Sequence, residues 1–324
     1  MGLTLDAEFA SAIAPIRASF ANLPKAAIHD VQARRHNLAV LADNGLPPPI
    51  PAGVKQDMLS VTAKDGYNIP LWQIARKFDT SPVEKNPKPA VLYMHGGGFI
   101  ALDVESSARE LYALVLASGV TIYAVDYRLA PEHQYPTPLE DCWACLQYIH
   151  DNAAALCVDL ACIAVMGDSA GGNLAAGVTL LARDRGLMPP IARQILVYPM
   201  LDDRNKETMN PGALLLWNEE DNLTGWTAYL GAHVGGDKVP IYAAPGRLTD
   251  ATGLPPLYLY VGQLDLFAKE NVHYVSLFIE AGIDAELHLI PGLPHGFNGL
   301  AKDHAATKDL FDHRVKYLKS LAHN

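Results

Sequence analysis

From residue 89 onward, short apolar runs alternate with stretches of helical periodicity. Residues 90–94 and 120–125 are the first such runs, and the stretch between them, 105–117, has a helical pattern. Apolar runs of strand length that alternate with helices are typical of a parallel sheet covered on both faces. The alternation continues to residues 285–290, near the end of a chain of 324 residues. The sequence therefore predicts an α/β fold with a mostly parallel, doubly wound sheet.

Three regions lie outside this alternation. Residues 1–50 have an amphipathic helical pattern and end in a proline-rich run, which cannot continue a helix because proline lacks the backbone donor. Residues 58–62 and 67–74 flank an Asp-Gly pair, which predicts a tight antiparallel hairpin. Residues 203–250 contain aromatic side chains among polar ones but no apolar run of strand length. We expect a boundary near residue 50 and an insertion over 203–250.

The charge balance argues against polyanionic partners. The chain has 25 Lys and Arg against 35 Asp and Glu, a formal charge of -10, so nucleic acid or an anionic membrane surface would gain no counterion release on binding. No segment reaches the roughly 18 consecutive apolar residues of a membrane-spanning helix, and the N-terminal residues lack the pattern of a signal peptide. We therefore expect a soluble, cytoplasmic protein that binds neither nucleic acid nor membranes.

A C-x-x-C pair, Cys142 and Cys145, is open to a redox or metal-binding interpretation. The pair lies in a stretch of helical periodicity, 139–150. Buried free cysteines commonly face the core from such helices, so packing is the favoured interpretation. Reduced thiols also fit a cytoplasmic location.

The residues Gly167-Asp168-Ser169-Ala170-Gly171 match the pattern G-x-S-x-G, between a predicted strand at 163–166 and a helix predicted to start near residue 172. A nucleophilic serine takes this strand–turn–helix position because the sharp turn lifts its hydroxyl clear of the backbone. The helix that follows directs its positive end at developing negative charge. Ser169 is therefore the candidate nucleophile, although a glycine-rich turn without catalysis also fits this motif alone.

A second glycine-rich segment, His95-Gly96-Gly97-Gly98-Phe99, directly follows the strand predicted at 90–94. Three successive glycines let backbone N–H groups approach a substrate oxygen closely. We expect the N–H groups of Gly97, Gly98 and Ala170 to form an oxyanion hole.

The same glycines also imitate a dinucleotide-binding fingerprint. Gly96 and Gly98 follow a strand, and Asp126 ends the next one. That interpretation requires a helix that begins at the glycines, whereas the next helical pattern begins near residue 105.

A serine nucleophile needs a general base, and His295 is the informative one among twelve histidines because it lies in a loop after the last predicted strand. In α/β-hydrolases the order along the chain is serine, acid, histidine. Asp265 meets this order and follows the strand predicted at 257–261 by a short loop. The alternatives are a helix N-cap role for Asp265 and Glu270 as the nearest substitute acid.

The H-G-G-G run, the G-D-S-A-G turn and residues 126–132, which read D-Y-R-L-A-P-E, together resemble the hormone-sensitive-lipase-like carboxylesterases, bacterial family IV. The resemblance spans about residues 89–300. It implies an α/β-hydrolase fold, with a mostly parallel sheet of about eight strands flanked by helices and a helical cap. The cap would comprise residues 1–50 and the insertion near 203–250, within a catalytic domain over 51–324. At the acid the chain departs from the family's D-P-L-R-D, because residues 265–269 read D-L-F-A-K.

The resemblance implies a serine carboxylesterase that hydrolyses short- to medium-chain acyl esters through Ser169, His295, Asp265 and an acyl-enzyme intermediate. This chemistry needs no cofactor and no metal. Two alternatives use the same scaffold: an amide deacetylase or peptidase, and a non-catalytic small-molecule receptor similar to the plant gibberellin receptors, which lack the catalytic histidine. The last strand, 285–290, would leave a sheet edge that a second copy could cover, so we expect a homodimer.

Overall fold

The computed structural model describes residues 3–21, 23–41, 48–77, 86–207 and 216–323. Within these residues, eight strands form one sheet in the order β1-β2-β4-β3-β5-β6-β7-β8. The strands are β1 Val54–Thr62, β2 Asn68–Arg76, β3 Lys88–Met94, β4 Thr121–Val125, β5 Val158–Asp168, β6 Arg193–Val197, β7 Leu257–Gly262 and β8 Ala285–Ile290. The α-helices are α1 Ala7–Ala21, α2 Val31–Leu41, α3 Val104–Ser118, α4 Thr137–Asp151, α5 Ala153–Leu156, α6 Ala170–Asp184, α7 Glu219–Leu230, α8 Ala268–Glu280, α9 Phe297–Leu300 and α10 Ala305–Ser320.

The sheet is parallel from β4 to β8 and antiparallel at its start. β1 pairs with β2, and β2 with β4, in antiparallel register. The turn of the β1–β2 hairpin contains Gly66 at φ 85°, a conformation that glycine adopts without strain. The predicted hairpin and parallel sheet are therefore confirmed.

The strands in the middle of the sheet are apolar because helices cover them on both sides. Every residue of β7 is buried, whereas β8 at the edge is mostly half-buried. Helix α3 packs against α10, and α4 packs against α6. None of the helices in the described ranges combines the length and the apolarity needed to cross a bilayer.

The C-x-x-C pair lies on the buried side of α4, as the helical spacing predicts. Cys142 and Cys145 are both free thiols with no exposed surface. Burial raises the pKa of the Cys142 thiol well above its usual value, so these cysteines have the character of core residues.

The N-terminal segment and the predicted insertion contact each other. Helix α2 packs against α7, and Arg34 Nε lies 2.8 Å from Asp221 Oδ1. The described part of residues 1–50 contains the two helices α1 and α2. Residues 208–215 of the insertion and 42–47 of the predicted boundary lie outside the described residues, and the division into cap and catalytic domain stays a prediction.

Candidate active site

Ser169 lies in the tight turn between β5 and α6. Its backbone has φ 57° and ψ -119°, a region that L-residues rarely adopt. A side chain at Gly167 would bring its Cβ within 2.2 Å of the Gly171 carbonyl oxygen, and one at Gly171 within 2.1 Å of the Met94 carbonyl oxygen. Helix α6 can therefore pack this closely against β5 and β3 only with glycine at both positions. Strain of this kind costs about 1–3 kcal/mol and persists where the surrounding structure enforces it.

The three residues predicted to carry the chemistry lie in one hydrogen-bonded row. His295 Nε2 is 2.9 Å from Ser169 Oγ, and His295 Nδ1 is 2.7 Å from Asp265 Oδ2. All three residues are buried, with 7%, 6% and 4% of the surface of Ser169, His295 and Asp265 exposed. In a neutral imidazole, Nδ1–H donates to the carboxylate, which leaves Nε2 to accept the serine proton.

The Asp265 carboxylate is fixed by the chain that follows it. Its second oxygen, Oδ1, accepts a hydrogen bond of 2.9 Å from the N–H of Phe267. The Phe267 ring meets the His295 ring edge-on at 5.0 Å between centroids. The Tyr198 ring contacts the same imidazole, with 4.6 Å between the ring centroids. The Tyr198 hydroxyl donates a hydrogen bond of 2.7 Å to Asn298 Oδ1. Phe267 and Tyr198 thus hold His295 in place, and sequence reasoning gave no signal for either residue.

Glu270, the substitute acid, binds a different part of the chain. Its carboxylate accepts hydrogen bonds of 2.6 Å from Leu201 N and 2.7 Å from Asn205 Nδ2. Burial raises the pKa of Glu270 well above its usual value. The acid that bonds to the His295 imidazole is therefore Asp265. Glu270 instead links α8 to the chain after β6 by hydrogen bonds.

The glycine-rich segment after β3 lies against Ser169, and the backbone of this segment faces the serine. Gly97 and Gly98 have φ 113° and 61°, and a Cβ at Gly96 would lie 3.5 Å from Ser169 Cβ. In the described part of the chain, the N–H groups of Gly97, Gly98 and Ala170 donate to no backbone carbonyl. These donors are therefore available to an oxygen atom bound beside Ser169.

The dinucleotide-binding interpretation lacks the helix that it needs. The N–H groups of Ile100 and Ala101 both donate to Gly97 O, which closes a turn. Helix α3 begins only at Val104, after its N-cap Asp103. The glycines of this segment are therefore followed by a turn, and no helix begins at them.

Tyr127 and Arg128, in the D-Y-R-L-A-P-E segment, support the glycine-rich loop and the hairpin. Tyr127 stacks on His95 at 4.2 Å between ring centroids and donates its hydroxyl proton to His95 O at 2.8 Å. Arg128 binds both carboxylate oxygens of Asp141, at 2.9 and 2.6 Å, and Asp65 at 2.6 Å. Bidentate pairs of this kind fix geometry as well as adding energy.

The rest of the segment binds the N-terminal region. Glu132 pairs with both terminal nitrogens of Arg35, at 2.8 and 2.6 Å, and this contact lowers the pKa of Glu132 to about 2. Arg35 Nε donates to Ile100 O at 2.6 Å, and Ala130 N donates to Phe99 O at 2.9 Å. The segment therefore joins α2, the glycine-rich loop and the sheet.

The strand order, together with a serine at the turn after β5 and a histidine after the last strand, defines an α/β-hydrolase. A family model described as alpha/beta hydrolase fold matches residues 91–299. The chain belongs to this family.

Known relatives agree with this assignment. The chain is 35% identical over 214 residues to esterase LipI of Mycobacterium tuberculosis, covering 66% of this chain and 67% of the relative. It is 36% identical over 229 residues to carboxylesterase NlhH of the same species, covering 68% and 70%. A solved structure of a bacterial heroin esterase superposes with a TM-score of 0.86 at 35% identity over 98% of both chains. The predicted resemblance to hormone-sensitive-lipase-like carboxylesterases is confirmed.

Proposed function

We propose that this chain is a carboxylesterase that cleaves acyl esters with Ser169 as the nucleophile. The observation that carries the proposal is His295, which bridges Ser169 Oγ at 2.9 Å and Asp265 Oδ2 at 2.7 Å in a buried site. The names of its relatives, an esterase and carboxylesterases, support the class of reaction.

In the first half-reaction, His295 Nε2 takes the hydroxyl proton as Ser169 Oγ attacks the ester carbonyl carbon. Asp265 stabilises the imidazolium cation that forms. The carbonyl oxygen, now negatively charged, accepts hydrogen bonds from the N–H groups of Gly97, Gly98 and Ala170. The tetrahedral intermediate collapses when the imidazolium returns the proton to the leaving alcohol. Water then repeats these steps on the acyl-enzyme, releases the acid and restores Ser169.

The residues beside the glycine-rich loop support a preference for substrates with short to medium acyl chains. A Cβ at Gly98 would come within 1.9 Å of the Trp217 ring, and one at Gly296 within 2.6 Å of Leu216 Cδ1. Trp217 itself is buried. A bulky ring packed this tightly against the proposed oxyanion hole limits the length of an acyl chain on that side.

The test compares Ser169→Ala with Ser60→Ala, which removes an exposed hydroxyl from β1, on p-nitrophenyl esters. We expect Ser169→Ala to lose ester turnover by a factor of about 10³ or more with an unchanged melting temperature, and Ser60→Ala to keep full activity. Comparable turnover in the two variants would exclude Ser169 as the nucleophile.

The same machinery can transfer an acyl group from an amine, so the leaving group is tested separately. Wild-type enzyme is assayed on a p-nitrophenyl ester and a p-nitroanilide with the same acyl group. We expect faster turnover of the ester. A higher kcat/KM for the anilide would reassign the protein as an amide hydrolase, and no turnover of either would favour a binding protein.

We further propose a cytoplasmic location. The four cysteines are all free thiols, which supports a reducing compartment. Fractionation of cells that make the tagged protein would test this proposal.

A further inference from the structure

Two histidines and a glutamate outside the proposed active site lie together at the edge of the sheet. Glu286 and His288 are two residues apart on β8 and therefore project from the same face of the strand. His313 reaches them from α10. One donor atom from each residue lies within 4.8 Å of the other two.

The donor atoms lie close to one another. Glu286 Oε1 is 2.7 Å from His288 Nε2 and 3.8 Å from His313 Nε2. The Nδ1–H of His313 donates to Asp309 O at 2.8 Å. This bond fixes the tautomer and leaves the lone pair on Nε2, as partner groups do for histidines that ligate metals.

The surrounding side chains hold the cluster in shape. Tyr260 stacks on His288 at 5.3 Å between ring centroids, with 8° between the planes. The Tyr317 hydroxyl donates to Glu286 Oε2, so Oε1 is the oxygen that faces the histidines.

The cluster is accessible to an ion from solvent. The side chains of His288, His313 and Glu286 are 23%, 22% and 35% exposed. Lys316 Nζ lies 3.8 Å from Glu286 Oε2 and opposes a cation, but that side chain is 64% exposed and can turn away into solvent.

We propose that Glu286, His288 and His313 bind a divalent transition-metal cation of the Zn²⁺ type. Two imidazoles and one carboxylate suit such ions, and water would fill the remaining position. Ligand atoms around tetrahedral zinc lie about 3.3 Å apart for bonds of about 2.0–2.1 Å. Glu286 Oε1 and His288 Nε2 must therefore separate slightly from 2.7 Å, and His313 Nε2 must move in from 3.8 Å. The ion replaces the proton that His288 Nε2 shares with Glu286, and this proton moves to Nδ1 of the same ring. The ion would fasten α10 to the edge strand β8.

The test is isothermal titration of the full chain with ZnCl₂ in a non-chelating buffer. We expect one saturable site in wild type, and at least about tenfold weaker binding in His288→Gln and in His313→Gln. His273→Gln, which changes an exposed histidine on α8, is the matched control and should bind as wild type does. His295→Gln should also bind normally, which separates this site from a zinc ion held at the proposed active site.

A second measurement keeps the inference testable if a variant is unstable. Zn²⁺ at about a hundred times the dissociation constant should raise the melting temperature of wild type by a few degrees and leave that of His313→Gln unchanged. Lys316→Gln should bind Zn²⁺ about twofold to fivefold more tightly, because it removes the opposing charge. The inference is overturned if wild type shows no saturable binding below about 1 mM, or if both histidine variants bind as tightly as wild type.

Discussion

Asp265 keeps the first aspartate of the family pattern, but the residues that follow it depart from that pattern. The D-P-L-R-D of the family is here D-L-F-A-K, and the structure gives the substituted residues a visible role. The N–H of Phe267 binds the carboxylate and the ring of Phe267 supports the imidazole. The contacts of the acid are thus provided by the altered residues, which a motif comparison counts only as mismatches.

Replacing Asp265 with Asn tests its proposed role. An amide in place of the carboxylate removes the charge that stabilises the imidazolium and no longer fixes the His295 tautomer, so kcat should fall by about 10²–10⁴ with little change in KM. Glu270→Gln is the matched control, because Glu270 binds Leu201 N instead of the imidazole. Steady-state kinetics on one p-nitrophenyl ester measures both. A larger loss of kcat in Glu270→Gln would reverse the assignment of the acid.

Trp217 is the residue that we expect to limit the acyl chain. In Trp217→Ala, the space beside Gly98 opens, and each further buried methylene of a longer acyl chain contributes about 0.8 kcal/mol. The ratio of kcat/KM for a p-nitrophenyl octanoate over the acetate should rise at least about tenfold. Because a ratio cancels the amount of folded enzyme, the lower stability of the variant does not affect it. Trp72→Ala, in β2, should leave the ratio unchanged, and an unchanged ratio in Trp217→Ala would remove this residue from the acyl site.

At the scale of elements, apolar periodicity carried most of the prediction. Strand β8 begins and ends where the pattern predicts, at residues 285 and 290. Strand β5 begins earlier than predicted, at Val158, because Asp159 breaks the apolar run and residues 159–161 are half-buried or exposed. The roles of Tyr127 and Arg128 could not be predicted, since their partners His95, Asp65 and Asp141 lie in other elements. Contacts of this kind leave no local pattern in a single sequence.

The glycine-rich loop should make stability depend on pH through His95. Burial lowers the pKa of His95 from 6.5 to about 4, so the unfolded chain binds this proton more readily than the folded protein does. The stability that the neutral, buried imidazole provides is fully present above pH 6.5 and is lost as the pH falls toward 4. From pH 7 to pH 5 the free energy of unfolding falls by about 2 kcal/mol through this group. His95→Asn cannot titrate but can still donate to Gly96 O, which His95 Nδ1 meets at 2.7 Å.

Urea unfolding of wild type and His95→Asn at pH 7 and pH 5 measures this effect. Asp126 opposes it in both proteins, since burial raises the pKa of this carboxyl to about 6 and its contribution to stability grows as the pH falls. The difference between the two proteins isolates His95. Parallel pH profiles of the two proteins would contradict the prediction.

At the scale of the whole molecule, the parts of the site come from distant points of the chain. Ser169, Asp265 and His295 each follow a strand of the parallel sheet, so chain order and strand placement were enough to group them. The cluster of Glu286, His288 and His313 joins β8 to the last helix, and its spacing resembles no sequence motif. The homodimer also stays a prediction, with β8 at one edge of the described sheet.

Arg314 joins α10 to the turn that carries Ser169, the proposed nucleophile. It has no exposed surface and pairs with Asp168, next to Ser169, and with Glu110 of α3 at 2.5 Å. Asp168 also accepts a hydrogen bond of 2.8 Å from the Tyr93 hydroxyl. The last helix, α3 and the turn at Ser169 therefore share one ion-pair network.

Arg314→Met should destabilise the protein by about 3–5 kcal/mol, because it leaves Asp168 without its cation in a largely buried position. Lys308→Met removes an exposed cation from the same helix and should change the free energy of unfolding by no more than about 0.5 kcal/mol. Urea unfolding followed by circular dichroism measures both. Since the network reaches Asp168, the folded fraction of Arg314→Met should also have a lower kcat, whereas Lys308→Met should not. Equal stability of the two variants would mean that the network does not connect the last helix to the active site.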